Sequence, residues 1–579
     1  MVREELEKII QKALRDAGFE AREKISLEHP EKEDHGDYAT PVALQLAKQL
    51  ARNPREVSEL IVSAISKQQS AILDRVEVAG PGFINLYISK SYLLSELARV
   101  FKEGDDFGKS ASLKGKKVML EFTDPNPFKE FHIGHLYTNT VGESLSRMLQ
   151  ANGANAKRAN YQGDVGMHVA KAIWGMKQLS HKMPKGSDSL SAKARWLGIC
   201  YAAGVAGEDK GKEELQRINK AVYEGSDKEI NKLYKIGRKW SLEYFEAIYK
   251  RLGTKFDFYY FESEVGKVGV KLVQENLKKG VFEESEGAII FPGEKYGLHN
   301  RVFINSQGLP TYEAKELGLA PTKYKDFRYD LSVVITGNEV SDYFKVLLAA
   351  LKQINLELAG KTKHIGHGMV RLPEGKMSSR TGNVITAEEL LEEVKKRARV
   401  IAESSGSEIT DKEKGKILEM VTVGAIKYAF LRVGIGKDLI FDFEKSLSLE
   451  GDSGPYLQYT YARCKSILRK AQKIRSASWR TKFEIRNSAE LAKEELAVLR
   501  WLYRFPEVVT EAAEKFSPNL ICNFVFELAQ RYNHFYSTYS VLQAETEEQK
   551  QFRLLLTFAT AQVIKNSLNL LGIKAPGKM

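Results

Sequence analysis

Between Val118 and Leu149 the chain changes its hydrophobic rhythm: an unbroken apolar-rich run, Val118 to Phe122, gives way to apolar positions at Leu136, Val141, Leu145, Met148 and Leu149. The short run predicts a buried strand, and the later spacing predicts a helix with one apolar face. Asn152-Gly153 ends that helix as a left-handed cap would, and another strand is expected near Lys157 to Tyr161. Strand, loop, helix and strand open a parallel doubly wound sheet, whose ligands bind beyond the C-terminal ends of its strands. The loop from Thr123 to Gly134 therefore falls at a site position.

The same reading organises the rest. Leu6, Ile9, Ile10, Ala13 and Leu14 predict an opening helix, Gly36 to Thr40 leads into a second, and Gly80 to Ile88 is strand-like. Residues 177 to 245 are rich in Lys, Glu and Gly with helical stretches, and sheet-like runs return at Ala288 to Phe291 and Leu331 to Thr336. From about 385 onward the pattern is almost wholly helical. The expected fold class is multidomain, α/β plus all-α. An N-terminal α+β unit spans 1–112, and a Rossmann-like parallel-sheet unit spans 113–384 with an insertion at about 177–300. A connecting helical region (385–445) and a helical C-terminal unit (446–579) follow.

Composition narrows the class. A chain of 579 residues, 43% hydrophobic and 28% charged, exceeds what one core organises. No run of 18 apolar residues occurs and the first residues are acidic and amphipathic, so a soluble cytoplasmic protein with no membrane partner is expected. Cys200, Cys464 and Cys522 are too far apart for a zinc knuckle and too few for a disulfide framework. The formal charge of +13 is compatible with a polyanionic partner. With no long exposed apolar seam, a monomer is expected.

The chemistry begins at His132-Ile133-Gly134-His135, after the first strand. Imidazoles at a helix N-terminus can donate to phosphate oxygens, and Gly134 lets a nucleobase or ribose approach the backbone. More than two hundred residues on, Lys376-Met377-Ser378-Ser379-Arg380-Thr381-Gly382-Asn383 offers cations, hydroxyls and backbone donors suited to a pyrophosphate leaving group. In this order and separation the two resemble the signature motifs of class I aminoacyl-tRNA synthetases. Asp124 to Leu136 is similar to the arginine-specific branch, in which a lysine before the first signature accompanies a degenerate second one.

The resemblance implies in-line attack of an amino-acid carboxylate on the ATP α-phosphate, which needs positioning and charge stabilisation. It assigns Lys129, His132, His135 and Lys376 to phosphates and transition state, with Lys129 replacing the lysine that the family carries where this chain has Ser379. It places Gly134, Gly337, Met369, Val370, Ser378 and Ser379 with ATP, alongside His132, His135 and Lys376, and brings Mg2+ with the nucleotide. No protein-held metal is expected. A guanidinium is best read by carboxylates, for which the resemblance nominates Glu121 and Glu316, with Tyr312 against the side chain and Asn126 on the amino-acid backbone. Glu316 stands where aspartate is commoner, Val340 where many members have glutamine, and Tyr137 where an arginine usually follows the first signature.

The segments Gly454 to Arg463 and Tyr532 to Tyr536 resemble the family's helical anticodon-binding domain. Tyr456, Gln458, Tyr459, Arg463, Tyr532 and Tyr536 are the residues expected to meet unstacked bases, since aromatic stacking and edge hydrogen bonds read single-stranded RNA. Lys465 to Arg486 is densely basic with Trp479 and Phe483 interleaved. The N-terminal segment resembles the appended domain that contacts the tRNA elbow. The implied activity is arginine-tRNA ligation, with tRNA(Arg), L-arginine and ATP as partners. A class I enzyme of another specificity and a non-catalytic RNA-binding relative are the alternatives.

Overall fold

The computed structural model describes residues 2–20, 25–373, 385–403, 410–474 and 491–579. Five strands form a wholly parallel sheet: β1 (Lys117–Glu121), β2 (Asn155–Gln162), β3 (Phe258–Phe261), β4 (Leu331–Gly337) and β5 (Thr362–His367), in the order β5-β4-β1-β2-β3. Val118, Met119 and Leu120 of β1 are all buried, as a central strand covered on both faces requires. The chain steps outward from β1 through β2 to β3, then returns to the other side of β1 for β4 and β5. This reversal between β1 and β4 opens a crevice at their C-terminal ends.

Into that crevice point the loop after β1 and the start of helix α1 (Ile133–Ala151). Leu136, Val141, Leu145, Met148 and Leu149 are buried as the pattern requires, and Gly153 follows in the left-handed region at φ 90°. Two other helices flank the site, α2 (Glu262–Leu277) and α3 (Tyr312–Asp326). The expected insertion over 177–300 is corrected in one respect: β3 lies inside it and pairs with β2. Its four residues, Phe258 to Phe261, are all aromatic and show no alternation to mark a strand. Ala288–Phe291 belongs instead to a separate antiparallel sheet with Glu283–Ser285 and Arg301–Ile304.

The N-terminal unit packs helices Val2–Asp16, Val42–Leu50 and Pro54–Ser66 with an antiparallel sheet made by Tyr38–Thr40, Leu73–Ala79 and Phe83–Ile88. The C-terminal unit is helical and sits against the back of α1. Ser144 donates to the Leu570 carbonyl at 3.0 Å and Arg147 to the Asn569 carbonyl at 3.0 Å. The buried Lys427 ammonium donates to the carbonyls of Leu252 and Gly572, at 2.8 and 3.0 Å. Among the described residues no helix is long and apolar enough to cross a membrane.

α1 lies tight on the sheet because Gly142 has no side chain: a Cβ there would stand 2.1 Å from the fully buried Phe122 ring. Gly142→Ala gains about 1 kcal/mol of helix propensity but overpacks a site that cannot give, at about 1–3 kcal/mol. A net lowering of the urea midpoint is expected; an unchanged or raised midpoint would show that α1 can shift freely.

Candidate functional site

The loop between β1 and α1 is held under strain. Of the seven non-glycine residues with positive φ among those described, three are here: Thr123 (82°), Asp124 (41°) and Phe128 (70°). Such conformations cost about 1–3 kcal/mol each and persist only where surroundings enforce them. The enforcement is visible. Asn139 donates to Thr123 Oγ1 at 3.0 Å, the Tyr161 N–H to Asp124 Oδ1 at 2.8 Å, and the Phe128 N–H to Ser241 Oγ at 2.8 Å. The Phe128 ring is fully buried, in the space left by Gly237.

The loop delivers His132 as the N-cap of α1. His132 Nδ1 accepts from the Gly134 and His135 N–H groups at 3.1 and 3.4 Å, while His135 Nδ1 accepts from the His132 N–H at 3.3 Å. The rings stack with centroids 3.5 Å apart. Burial, reinforced by the Lys129 charge, lowers the His132 pKa to about 4, and burial with the charges of His132 and Lys129 pushes His135 well below its ordinary value. Both imidazoles are therefore neutral at pH 7, and since each Nδ1 accepts, the proton sits on Nε2. The first N–H groups of α1 are thus already taken, by the capping ring and by the chain, and each ring offers its Nε2–H as a fixed donor at the positive end of the helix.

The residues expected to meet the nucleotide converge on this end. Gly337 closes β4 in register with His367 of β5, and His367 Nε2 lies 2.7 Å from Thr138 Oγ1 on the first turns of α1. Met369 and Val370 follow, tied to 438–439 by the Met369 N–H to Asp438 Oδ1 at 2.9 Å and the Leu439 N–H to the Met369 carbonyl at 2.8 Å. Lys376, Ser378 and Ser379 lie outside the described residues. Just past them, the Ile133 N–H donates to the Ile385 carbonyl and the Ala387 N–H to the Phe131 carbonyl, at 3.1 and 2.8 Å. The chain leaving the second signature is thus stapled to the first.

Beside this corner lies a packed cluster rich in carboxyl groups. Glu121, at the end of β1, pairs with Lys323 of α3 at 2.5 Å, and Glu262, opening α2, pairs with Lys315 of α3 at 2.6 Å; all four side chains are buried. Glu316 and Asp124 complete the cluster. Burial, then the Glu121 charge, holds both carboxyls well above the ordinary range. Four acids thus face two lysines. Asn126 lies against Gly163, where a Cβ would meet its Oδ1 at 2.3 Å. The Tyr161 hydroxyl is buried with no partner, and burial, then the Glu262 and Glu316 charges, raise its pKa. Tyr312 is 58% exposed at the mouth, its carbonyl accepting from the Tyr343 hydroxyl at 3.1 Å.

Two models describe the catalytic and N-terminal parts: "tRNA synthetases class I (R), catalytic domain" matches residues 96–443 and "Arginyl tRNA synthetase N terminal domain" matches 4–88. The arginine–tRNA ligase of Clostridium acetobutylicum is 31% identical over 100% of this chain and 99% of its own length. The chain belongs to the arginyl-tRNA synthetase family. The arginine–tRNA ligase of Treponema denticola is 32% identical over 95% of this chain and 94% of its own. Among solved structures, arginyl-tRNA synthetases of Thermus thermophilus (TM-score 0.82, 24% identity, all of both chains) and Plasmodium falciparum (TM-score 0.80, 20% identity, 100% of this chain and 99% of that one) share the fold.

A "DALR anticodon binding domain" model, the helical part of this synthetase architecture, matches residues 457–579. There Tyr456, Tyr459, Arg463 and Tyr536 share a face: Arg463 lies 4.8 Å from the Tyr459 ring centre and 5.6 Å from that of Tyr536, and Asn533 bridges Arg463 and Tyr456 at 2.8 and 2.9 Å. Gln458 and Tyr532 are corrections. Both are fully buried, because Gln458 ties the Met420 and Lys574 carbonyls at 3.0 and 2.7 Å and Tyr532 donates to Thr557 at 3.1 Å; neither side chain presents a surface to a base. Of the basic tract, residues 475–486 lie outside those described.

Several residues of this synthetase site carried no role in the sequence reading. Lys323, Glu316 and Tyr312 share one face of α3 at helical spacing, a signal that could have found Lys323. Asp164 is fully buried and accepts from Tyr234, Arg238 and both the N–H and hydroxyl of Ser263, at 2.8–3.1 Å, thereby fixing the start of α2 and Glu262. His168 donates Nε2–H to the Gly163 carbonyl at 2.7 Å. Tyr137 is wholly buried between His367 and Phe430, so it packs rather than meets a phosphate.

Because the folded His132 has the lower pKa, the unfolded chain binds more protons between about 4 and 6.5, and stability falls as pH falls through that window. His132→Asn keeps a good N-cap without the imidazole. Its melting temperature should fall less than the wild type's across the same window; an identical fall would mean that His132 is already charged in the native state.

Proposed function

We propose that this protein is an arginine–tRNA ligase, and that the surplus of buried carboxyl groups around Glu121, Asp124, Glu262 and Glu316 is its arginine pocket. That surplus is the observation that carries the reading. Two lysines compensate two acids, leaving Asp124 and Glu316 without an ion pair among the described residues, and burial, then the Glu121 charge, raises both carboxyls. A guanidinium supplies a planar, always-charged donor fork to it, while Asn126 can both donate to and accept from the amino-acid backbone.

The reaction takes place between this pocket and the α1 corner. A carboxylate oxygen of arginine attacks the ATP α-phosphorus, the bond to the bridging oxygen breaks, and pyrophosphate leaves. A 3′-terminal ribose hydroxyl of tRNA(Arg) then attacks the arginyl carbonyl, forming the ester and releasing AMP. Neutral His132 and His135 donate Nε2–H to phosphate oxygens, and Lys129 supplies positive charge where it develops. Lys376, Ser378 and Ser379 are assigned to the leaving pyrophosphate, and Gly134, Gly337, Met369 and Val370 to the nucleoside. Mg2+ enters on the phosphates as part of the nucleotide substrate. Tyr456, Tyr459, Arg463 and Tyr536 form the surface for anticodon bases. The working form is a cytoplasmic monomer.

Aminoacylation of total tRNA with labelled arginine, lysine, cysteine or glutamate tests the whole. Arginine alone should be charged; another amino acid would keep the fold and refute the pocket, and RNA binding without charging would mark a non-catalytic relative. Arginine displaces protons from raised carboxyls, so its KM should rise as pH falls from mildly alkaline to mildly acidic. Glu316→Gln should flatten that dependence and weaken kcat/KM by about 2–5 kcal/mol; unchanged arginine kinetics would remove Glu316 from the pocket. Lys129→Ala should cost turnover about 10²-fold, as for one preorganised donor, and an effect confined to melting temperature would make Lys129 structural.

A further inference from the structure

Two helices of the insertion, Leu190–Ala206 and Glu208–Glu224, reach back over the site. They bring Tyr201 and Tyr223 to the pocket mouth: the Lys129 ammonium lies 4.5 Å from the Tyr201 ring centre, and the Lys315 ammonium 5.8 Å from that of Tyr223. The two lysines are treated differently. Lys315 has a buried carboxylate at 2.6 Å. Lys129 forms no ion pair among the described residues, and the ionisable groups that feel its charge include three buried histidines, His132, His135 and His168, each pushed toward neutrality by burial first and by neighbouring positive charge next.

An unpaired lysine is a compact charge on a flexible stem. A carboxylate partner would fix it but would also neutralise it, and would compete with a phosphate for it. An aromatic face attracts the ammonium through its quadrupole and leaves the full positive charge for the ligand. We propose that Tyr201 is a positioning residue of the adenylation site: its ring face holds the Lys129 ammonium over the phosphate corner without discharging it. The insertion thereby contributes to catalysis through a side chain that need not touch substrate. This inference rests on the reading of Lys129 given above.

The test is arginine-dependent pyrophosphate–ATP exchange and aminoacylation by the full chain with tRNA present. Tyr201→Phe keeps the ring face and should retain most of the turnover. Tyr201→Leu should lower kcat about 3- to 30-fold, the range of a cation–π contact, with the arginine KM little changed. In a Lys129→Ala background Tyr201→Leu should cost nothing further, because the two act as one unit. Should leucine pack badly, a series of progressively fluorinated phenylalanines at position 201 keeps the shape while draining the ring face, and kcat should fall stepwise with fluorination. A flat series, phenylalanine as damaging as leucine, or full additivity with Lys129→Ala would overturn the proposal. Failure of the two readings is distinguishable: a harmless Lys129→Ala removes Lys129 from the phosphates and this inference with it, whereas a damaging Lys129→Ala beside a neutral Tyr201→Leu removes only Tyr201.

Discussion

Burying carboxyl groups without enough cations is the constraint around which the catalytic unit is built. Taking an ion out of water costs several kcal/mol even after relaxation, and the end of β1 gathers Glu121, Asp124, Glu262 and Glu316 from three separate segments. Lys315 and Lys323 of α3 offset part of that cost through short pairs at 2.6 and 2.5 Å. The upward shift of Asp124 and Glu316 is the mark of what is left uncompensated. The loop that carries Asp124 must be held in left-handed conformations to keep it there; hydrogen bonds donated by Asn139 and the Tyr161 N–H, and one accepted by Ser241, hold it.

The neighbouring corner meets burial with the opposite shift. Desolvation disfavours the charged form of any group, so it raises Asp124 and Glu316 and lowers His132, His135 and His168. Acids and bases alike lean neutral before ligand arrives. On the proposed reading the complementary charges come with the substrates, a guanidinium for one end and a triphosphate for the other. Lys129 stands between the histidines, whose charged forms it disfavours, and the Tyr201 ring of the insertion.

How much of this was legible depended on range along the chain. β1, α1 and the place of His132 to His135 at the helix N-terminus are local features, written in a burial run followed by helical spacing, and they fold as read; that the two rings cap the helix reciprocally is seen only in the structure. Glu121 and Glu316 came from the resemblance, and the structure brings them into one charge cluster. Asp124, Glu262 and Lys323 escaped because their significance lies in convergence from separate segments, which no single stretch displays. β3 escaped because four successive aromatics carry no period. Gln458 and Tyr532 went astray for a related reason: helical spacing places a residue on a face, but whether that face meets solvent or the helix ending at Leu570 is decided by packing more than a hundred residues away in sequence for Gln458, whose amide ties the Lys574 carbonyl.

The precision of the site is also a property of parts remote from it. α1 has 19 residues and so runs about 28 Å, with His132 at its start and Ser144 and Arg147 in its later turns. Those turns are gripped by the carbonyls of Leu570 and Asn569, while Gly142 keeps the helix pressed on Phe122. A helix fixed at its middle and far end cannot tilt without carrying its first turn through an arc, and donors misplaced by even an ångström lose much of their effect on a developing charge. The helical unit assigned to the anticodon is therefore part of the mounting that aims His132 and His135, because both depend on the same rigid rod.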